Sequence, residues 1–510
     1  MTVLTALTRA AAAAGGRALP AKTVRHVHLA ERPLVLVAAQ LAGEACAPLA
    51  VLVGDDRDTP RLLVVYEPRD RTQRFEFAGA LAGVLLPAIE RYADADADAA
   101  PDGAERSEPY ADALQLLVPN PATAAFVRLL GRSTRFRKTE GEYAVPASVP
   151  LLGRWLTYFA ERAEVAPSAQ LLPLTVVLAD HWATGQSAAE DANLGALLSW
   201  IDPPDGMTGR AAARAAEDPV RCPPAGPATD PTFDNEVLAP ILAAARQAAQ
   251  AGDTARLSRV RADLDRALRS QLEPTWALMW RAVDLLRALP AAAHVEQRWH
   301  SDRWSFTGQV AWIRDGGAPQ ARRDSAVAAA RRLARLEREQ QRLAVERAYD
   351  DPLVMAEYRM TGEAFAGEVV AADPFRIDTE SGKRAVLRPL ITVATCDEVL
   401  AEVGTVLKSP DPRRSGTQAK VREVLPPGSA PGGDTRTWVT LELKGGMGQS
   451  RTTPRPGSVP AEGERVTYTS LRDDFQPQPK FPDLQDTPWT HGGPPPEYVP
   501  ADEDAREDWS

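Results

Sequence analysis

The stretch RRDSAVAAARRLARLEREQQRLAVERAY, from Arg322 to Tyr349, predicts its secondary structure more plainly than any other part of the chain. It holds no Gly or Pro, and it is rich in Ala, Arg, Leu, Glu and Gln, which have high helix propensity. Leu333, Leu336 and Leu343 recur at helical spacing. The stretch therefore predicts one long, largely solvated helix that joins an N-terminal α/β and helical part to a C-terminal β part.

The residues before this helix change between strand and helix patterns. Short apolar runs separated by Gly, Asp and Pro predict sheet strands in TVRHVHLAE, RPLVLVAAQ, PLAVLVGD and RLLVVYEP, from Thr23 onward. Helical patterns follow at 72–92, 122–130, 151–163 and 168–183, interrupted by an acidic loop at 93–109. Residues 1–201 are therefore predicted to form an α/β domain with a helical second half.

Pro, Gly and Asp crowd residues 202–235, which predicts a linker. Beyond it, helices are predicted at 236–251, 254–271 and 274–289, followed by a tryptophan-rich segment and then the long helix. Residues 236–362 are therefore predicted to form an α-helical domain that ends in the long helix.

The C-terminal third returns to strand patterns. Six short strands are predicted in GEVVAADP, KRAVLRPLITVATC, GTVLKSP, QAKVREVL, TWVTLELKG and ERVTYTSL. They predict a small OB-like β-barrel over residues 363–472. Residues 473–510 are rich in Pro and poor in aliphatic side chains, which predicts a disordered acidic tail. The predicted fold class is thus multidomain α+β.

The charge of the chain is unevenly distributed. The 510 residues carry a formal net charge of −10, with 44% hydrophobic and 25% charged residues, which is typical of a soluble protein of two to four domains. Residues 473–510 hold ten acids against Lys480 and Arg506, so they account for −8 of the total. The rest of the chain is close to neutral and can carry basic faces. The excess of Ala, Arg and Pro over Lys, Ile and Asn indicates a GC-rich bacterial genome.

Several classes of protein are disfavoured by what the sequence lacks. Cys46, Cys222 and Cys396 lie far apart, which argues against a disulfide framework and against a cysteine-rich zinc site. The N-terminus has no secretion-signal pattern and no run of 18 apolar residues occurs, so we expect a cytoplasmic protein without a membrane segment. The glycine-containing stretches at 381–384 and 444–450 lack Walker spacing and predict turns between strands rather than a P-loop. We expect no cofactor.

Two basic clusters are candidates for contact with nucleic acid. Positive charge around an aromatic ring suits phosphate contact combined with base stacking, and the barrel loops of OB-type folds often bind oligonucleotides. The first cluster comprises Arg128, Arg132, Arg135, Phe136, Arg137 and Lys138, and the second comprises Lys408, Arg413, Arg414, Lys420 and Arg422. The alternative for each is a solvated basic face paired with nearby acids.

The segment GDDRDTPRLLVVYEPRD places Asp55 before one predicted strand, with Glu67 and Arg69 at the end of that strand. This arrangement resembles the metal-binding hairpin of restriction-like nucleases, in which an Asp and an E-x-K motif hold magnesium. The resemblance implies catalytic roles for Asp55, Glu67 and Arg69. The chain departs from the pattern at Arg69, because a guanidinium group cannot release a proton as the lysine does.

The histidines offer weaker candidates. His181 precedes Ser187 and Glu190, which suit either a nucleophilic site or a capping box, and the capping box explains the spacing without further assumptions. His26 and His28 alternate on a predicted strand and suit half a metal site or a surface pair; no third ligand is identifiable, so no metal site is predicted.

The leading hypothesis is a non-enzymatic, nucleic-acid-associated adaptor that works with a separately encoded partner such as an NTPase, helicase or nuclease. The alternatives are a divergent restriction-like nuclease and a structural assembly protein built on the long helix. The acidic tail, which ends in DEDAREDWS, is expected to solubilise the protein, to bind a basic groove of a partner, or to fold back over the basic surface of this chain.

Overall fold

The computed structural model describes residues 3–44, 47–94, 108–378, 385–447, 452–472 and 480–481. Cys46, the acidic loop at 95–107, the glycine-containing stretch at 381–384 and nearly all of the acidic tail lie outside these ranges.

A five-stranded mixed sheet forms the centre of the N-terminal part. The first elements are α1 Val3–Gly15, β1 Leu19–Pro20, β2 Leu34–Gln40, β3 Pro48–Gly54, β4 Arg61–Val64, α2 Arg71–Asp94 and β5 Leu116–Val118. They are followed by α3 Pro121–Thr134, α4 Ser148–Arg162, β6 Leu171–Pro173, α5 Leu174–His181, β7 Trp182–Ala183 and α6 Leu194–Ile201. The sheet order is β4-β3-β2-β5-β6, with β3 antiparallel to both neighbours and β2, β5 and β6 parallel. The apolar runs of β2 and β3 are almost entirely buried, as expected for strands covered on both faces.

The strand predicted from Thr23 does not form. The segment makes a single bridge, Arg25 to Ala291, and His26 is buried rather than on a surface strand. Its polar groups are bonded to distant side chains instead. The backbone N–H of His26 donates to His181 Nε2 (3.1 Å), and that of Thr23 donates to Asp351 (2.7 Å). Tertiary contacts therefore override the alternating pattern.

Helices dominate the middle of the chain. They are α7 Gly209–Ala216, α8 Pro231–Phe233, a π-helical turn Asp234–Leu238, α9 Ala239–Gln250, α10 Thr254–Arg287, α11 Val295–Arg314, α12 Ala326–Asp350 and α13 Pro352–Met360. The two helices predicted at 254–271 and 274–289 are one continuous helix, α10, with Pro274 inside it. Its buried stripe continues on both sides of the proline, through Leu268, Leu272 and Trp276, so packing outweighs the missing backbone donor.

One apolar core spans the N-terminal and middle parts of the chain. It includes the strands of the sheet, α10 and α11, and it also takes in Phe233. Residues 202–235 thus contain two helices and a core side chain, although the sequence predicts a linker there.

The long predicted helix is present as α12. Its start lies at Ala326 because the Ser325 hydroxyl accepts a hydrogen bond from the Ala328 N–H (3.2 Å), which caps the first turn. Four of its five buried residues, Leu343, Val345, Glu346 and Ala348, lie in its C-terminal third. The helix is therefore anchored at one end and exposed at the other.

The anchored end of α12 is held by buried polar contacts. Arg347 donates two hydrogen bonds to Asp180 (2.6 Å each), and Arg298 from α11 donates to Glu346 (2.7 Å). Asp350 accepts from His294 (2.6 Å). The fold of the N-terminal part therefore fixes the direction of α12.

The C-terminal part is a closed antiparallel barrel of six strands. These are β8 Ala364–Asp373, β11 Leu390–Thr395, β12 Val406–Lys408, β13 Gln418–Leu425, β14 Thr437–Lys444 and β15 Arg465–Thr469, with a small hairpin of β9 Ile377–Asp378 and β10 Val386–Leu387 beside them. The order around the barrel is β11-β14-β13-β12-β15-β8. All six predicted strands form, which confirms the barrel. An OB fold has five strands, so the loop positions that OB folds use cannot be transferred directly.

Within the described residues, no helix is long and apolar enough to cross a membrane.

We predict opposite effects of alanine at two helical glycines. A Cβ at Gly153 of α4 would overlap the backbone of Arg135, so Gly153→Ala should lower the free energy of unfolding by about 1–3 kcal/mol. Gly83 of α2 is exposed, and a Cβ there would have no neighbour within 4 Å, so Gly83→Ala should raise the free energy of unfolding by about 0.5–1 kcal/mol. Urea unfolding followed by circular dichroism measures both. Stabilisation by Gly153→Ala would show that α3 and α4 are not in close contact there.

We also predict that stability falls as the pH drops from 6.5 towards 4. Burial lowers the pKa of His181 to about 4, whereas the unfolded chain titrates near 6.5, so only the unfolded state gains a proton in this window. Each such histidine contributes a slope of about 1.4 kcal/mol per pH unit. His28, whose pKa burial also lowers to about 4, adds in the same direction.

The comparison of wild type with His181→Gln isolates this effect. Hydrogen bonding to Asp350 raises the pKa of His294, so its stabilisation is full at low pH and is lost as the pH rises through that pKa. This opposite contribution of His294 is present in wild type and in His181→Gln, so it cancels when their pH dependences are compared. Urea titrations at pH 7.5, 6.5 and 5.5 should show a smaller pH dependence for His181→Gln, and equal slopes would contradict the assignment.

Candidate anion-binding groove

A groove lined by arginines lies between α12 and the pair α3 and α4. Its cavity volume is about 900 Å³. Eight arginines line it, namely Arg128, Arg132, Arg135, Arg322, Arg331, Arg332, Arg335 and Arg338. Two acids, Glu161 and Asp324, are also in the lining. Burial raises the pKa of Glu161 above its ordinary value.

One side of the groove is built by close packing of α3 on α4. A Cβ at Gly131 would lie 2.7 Å from the backbone N of Thr157, so the two helices approach each other at small residues. Arg128 and Arg132 project from α3, and Arg135 follows its last turn. The sequence-predicted cluster therefore supplies half of its members to this wall.

The other side of the groove is a stripe of arginines on α12. Arg331, Arg335, Arg338 and Arg342 are spaced by four, three and four residues, so they share one face of the helix. At about 1.5 Å per residue, the stripe is about 16 Å long. The prediction of this helix rested on its leucines, and the arginine stripe was not predicted. The spacing of the arginines could have revealed the stripe.

Four of the groove arginines have no carboxylate partner within the ranges that the structure describes. They are Arg132, Arg331, Arg335 and Arg338. By contrast, Glu164 pairs with both Arg128 and Arg332, and Asp324 lies 3.5 Å from Arg332. The groove thus offers several guanidinium groups that a ligand could bind without breaking an existing ion pair.

Arg135, although it lines the groove, and Phe136 have structural roles. Arg135 is 4% exposed and donates to the carbonyls of Gln320 (2.9 Å) and Ala321 (3.3 Å), which holds the segment before α12. Phe136 is 7% exposed and lies between the guanidinium groups of Arg135 and Arg322. Its ring is therefore covered, and the expected base stacking on Phe136 would require it to be uncovered.

Arg137 and Lys138 do not line the groove. Arg137 is 5% exposed and donates to the Ser133 carbonyl (2.8 Å), while its guanidinium group lies 5.3 Å from the Phe75 ring. The side chain thus stabilises the turn after α3. Burial of this kind is not visible in a basic sequence motif.

The second predicted cluster, on the barrel, is largely neutralised by acids. Arg413 and Arg414 each pair with Asp411 and Glu464 at 2.6–3.2 Å. Arg422 pairs with Glu442 (2.6 Å), which also lies opposite Lys420 in the β13–β14 register. Lys408 lies at the end of β12. This arrangement matches the alternative interpretation of a basic face paired with nearby acids.

Asp55 and Glu67 lie at opposite ends of the β3–β4 hairpin. The register pairs Ala50 with Val64, so Glu67 is level with residue 47, and Asp55 is eight residues further along. At about 3.3 Å per residue, this separation is about 26 Å, which is too far for one shared metal ion. Each group also has arginine partners. Asp55 accepts from Arg32 and Arg91, Glu67 accepts from Arg246, and Arg69 donates to Glu44.

The carboxyl ends of β2 and β5, where open α/β sheets often bind ligands, are filled by the chain itself. The Asn120 side chain donates to the Gly226 carbonyl (2.7 Å), and the Gln40 N–H donates to the Pro227 carbonyl (2.8 Å). Gly226 has a φ of +81° and lies so close to Ala38 that a side chain would not fit. This position therefore holds a protein segment.

The other candidate residues have structural roles. The Ser187 N–H donates to Glu190 (2.6 Å), and the Glu190 N–H donates to Ser187 Oγ (3.3 Å), which is the predicted capping box. His181 donates from Nδ1 to the Val177 carbonyl (2.7 Å). Gly445 and Gly446, both with positive φ, form a turn after β14. In the part of the chain that the structure describes, no group of three or more His, Cys, Asp or Glu side chains could hold a metal ion.

Comparison with known proteins gives no relative: no protein-family model, no curated protein and no solved structure matches this chain.

Proposed function

We propose that the chain is a non-enzymatic adaptor that binds nucleic acid through the arginine groove and acts with a separately encoded protein partner, such as an NTPase, helicase or nuclease. The observation that carries the proposal is the set of four groove arginines without carboxylate partners among the described residues. Guanidinium groups bind phosphate oxygens with two parallel hydrogen bonds, and they remain charged at every physiological pH.

The shape of the groove favours a backbone contact with an extended strand. The stripe arginines that line the groove, Arg331, Arg335 and Arg338, follow the helix axis for about 10 Å, which suits neighbouring phosphates of a strand rather than a single anion. Among the residues that the structure describes, Phe481 is the one aromatic side chain in the lining, and Phe136 is covered by two guanidinium groups. Binding should therefore depend weakly on base sequence.

The restriction-like nuclease alternative is disfavoured by the separation of Asp55 from Glu67, and a ligand site at the carboxyl ends of β2 and β5 is disfavoured by the protein segment that fills it. A partner surface is supported by exposed apolar side chains on the small hairpin beside the barrel. Phe375 is 65% exposed, Ile377 is 41% exposed and Val386 is 37% exposed. Contiguous apolar side chains at a surface often mark a protein contact.

We expect the double variant Arg335→Glu and Arg338→Glu to bind nucleic acid at least tenfold more weakly than wild type. The measurement is fluorescence anisotropy with labelled single-stranded DNA, single-stranded RNA and duplex DNA at two salt concentrations. Removing two phosphate contacts from a single strand should also reduce the slope of log affinity against log salt by about 1.4. Neither arginine has a carboxylate partner in the described ranges, so the variant should fold normally.

The matched control is Arg413→Glu with Lys420→Glu on the barrel, which changes the net charge by the same amount. Binding by this control should be close to wild type, because Arg413 is already paired with Asp411 and Glu464. Equal losses in the two double variants would place binding outside the groove. No binding by the wild type to any of the probes would refute the proposal.

A further inference from the structure

A second, smaller pocket continues the arginine groove along α12. It has a volume of about 210 Å³ and is bordered by α11, the segment after α4 and α12. Arg335 lines both cavities, so the pocket opens beside the groove. The polar residues in its lining are Arg162, Ser168, Arg298, Ser301, Asp302, Ser305, Arg335, Glu339 and Arg342.

The two acids of the pocket are already occupied by donors. Asp302 is 1% exposed and accepts from Arg162 (2.6 Å), from the Ser168 hydroxyl (2.7 Å) and from the Ala169 N–H (2.7 Å). Glu339 lies 2.9 Å from Arg342. Of the four guanidinium groups in the lining, that of Arg298 pairs with Glu346 (2.7 Å) and that of Arg342 with Glu339 and Glu346, so the positive charge in excess over the described acids is that of Arg335.

Several donors in the pocket are available to a ligand. Within the described ranges, Arg335 has no carboxylate partner, and Nε of Arg162 is buried without a hydrogen-bond acceptor. A buried donor left without an acceptor destabilises the protein, and an anionic oxygen bound there would supply the missing acceptor. Ser301 and Ser305 lie in the same wall, and the Ser301 hydroxyl donates to the Gln297 carbonyl (3.3 Å), a bond that it would exchange for one to a ligand.

The size of the pocket limits what it can hold. Pockets for drug-sized molecules occupy about 300–1,000 Å³, and one water molecule takes about 30 Å³ of liquid volume. A volume of about 210 Å³ therefore suits a phosphate group and the atoms next to it, but not a nucleoside with its base.

We propose that this inner pocket binds the terminal phosphate of a single strand whose backbone lies in the arginine groove. The inference rests on the proposed function, since it names the end of the same ligand. A terminal phosphate monoester carries a charge of about −1.5 to −2 near pH 7, whereas each internal phosphate carries about −1. The small pocket beside the longer groove therefore distinguishes a terminal phosphate from an internal phosphate by charge and by size.

The test compares three labelled 12-nucleotide strands of one sequence that carry a 5′-phosphate, a 3′-phosphate or no terminal phosphate. Wild type should bind one of the phosphorylated strands about tenfold more tightly than the unphosphorylated strand. Arg342→Gln should reduce this ratio to below about twofold. The matched control Arg338→Gln, on the same helix face but in the groove alone, should weaken all three strands equally and keep the ratio.

Arg342 also contacts Glu346, so Arg342→Gln can disturb the fold. A second variant therefore tests the inference independently of Arg342. Ser301→Ala with Ser305→Ala removes two hydroxyls, leaves the ion pairs intact, and should lower the ratio at least threefold. Equal affinity of wild type for the three strands overturns the inference and leaves the proposed function standing. No binding of any strand overturns both.

Free phosphate is the alternative source of the same chemistry. If 10 mM inorganic phosphate raises the melting temperature of wild type but not of Arg342→Gln, while the three strands bind equally, the pocket binds free phosphate. That outcome also overturns the strand-end assignment. If the strands bind unequally and inorganic phosphate reduces the difference, the assignment is supported.

Discussion

The placement of the arginine groove depends on the buried carboxylate of Asp351. Its side chain is fully buried at the junction of α12 and α13, where it accepts hydrogen bonds from the Thr23 N–H, the Thr23 hydroxyl and the Leu353 N–H. Burial alone would raise the pKa of Asp351, but hydrogen bonds from Thr23 and Leu353, together with the His26 ring 3.4 Å away, outweigh it and hold the pKa well below its usual range. The charged form is therefore retained inside the protein. It ties the end of the long helix to a segment 328 residues earlier in the chain.

Further towards its N-terminus, α12 carries a row of like charges instead of a single buried charge with its hydrogen-bond donors. Like charges spaced by three or four residues on a helix destabilise it by about 0.2–0.5 kcal/mol per pair, and the α12 stripe contains three such pairs. The anchored end, with its ion pairs to α5 and α11, supplies the packing that lets the helix tolerate this repulsion. Sites that break a local rule in this way are commonly functional. The arginines without a carboxylate partner in the described ranges therefore contribute little to stability, which agrees with the proposed ligand-binding role.

The sequence predicted the elements whose pattern is local. The barrel strands and the long helix follow from alternation and propensity within a few residues, and both are confirmed. The strand predicted from Thr23 was wrong, because the backbone donors of that segment bind His181 and Asp351. No local sequence pattern reveals these contacts. For the same reason, the sequence predicted the arginines on one side of the groove and not those on α12. Arg132 and Arg335 are about 200 residues apart, and only the packing of α4 against α3 and the direction of α12 bring them to one cavity. Burial also removed Arg137 from the surface that its sequence motif suggested.

The two basic clusters show why counting charges does not identify a binding site. The two clusters hold five cations each in the sequence, but Arg413, Arg414 and Arg422 are held by acids from neighbouring strands or loops. A polyanion at the barrel would have to displace those carboxylates, and the energy gained from phosphate would be offset by the ion pairs lost. Among the residues that the structure describes, Arg335 and Arg338 have no carboxylate partner to displace. Which carboxylates lie within reach of an arginine is therefore decided by tertiary structure and not by the composition of a sequence motif.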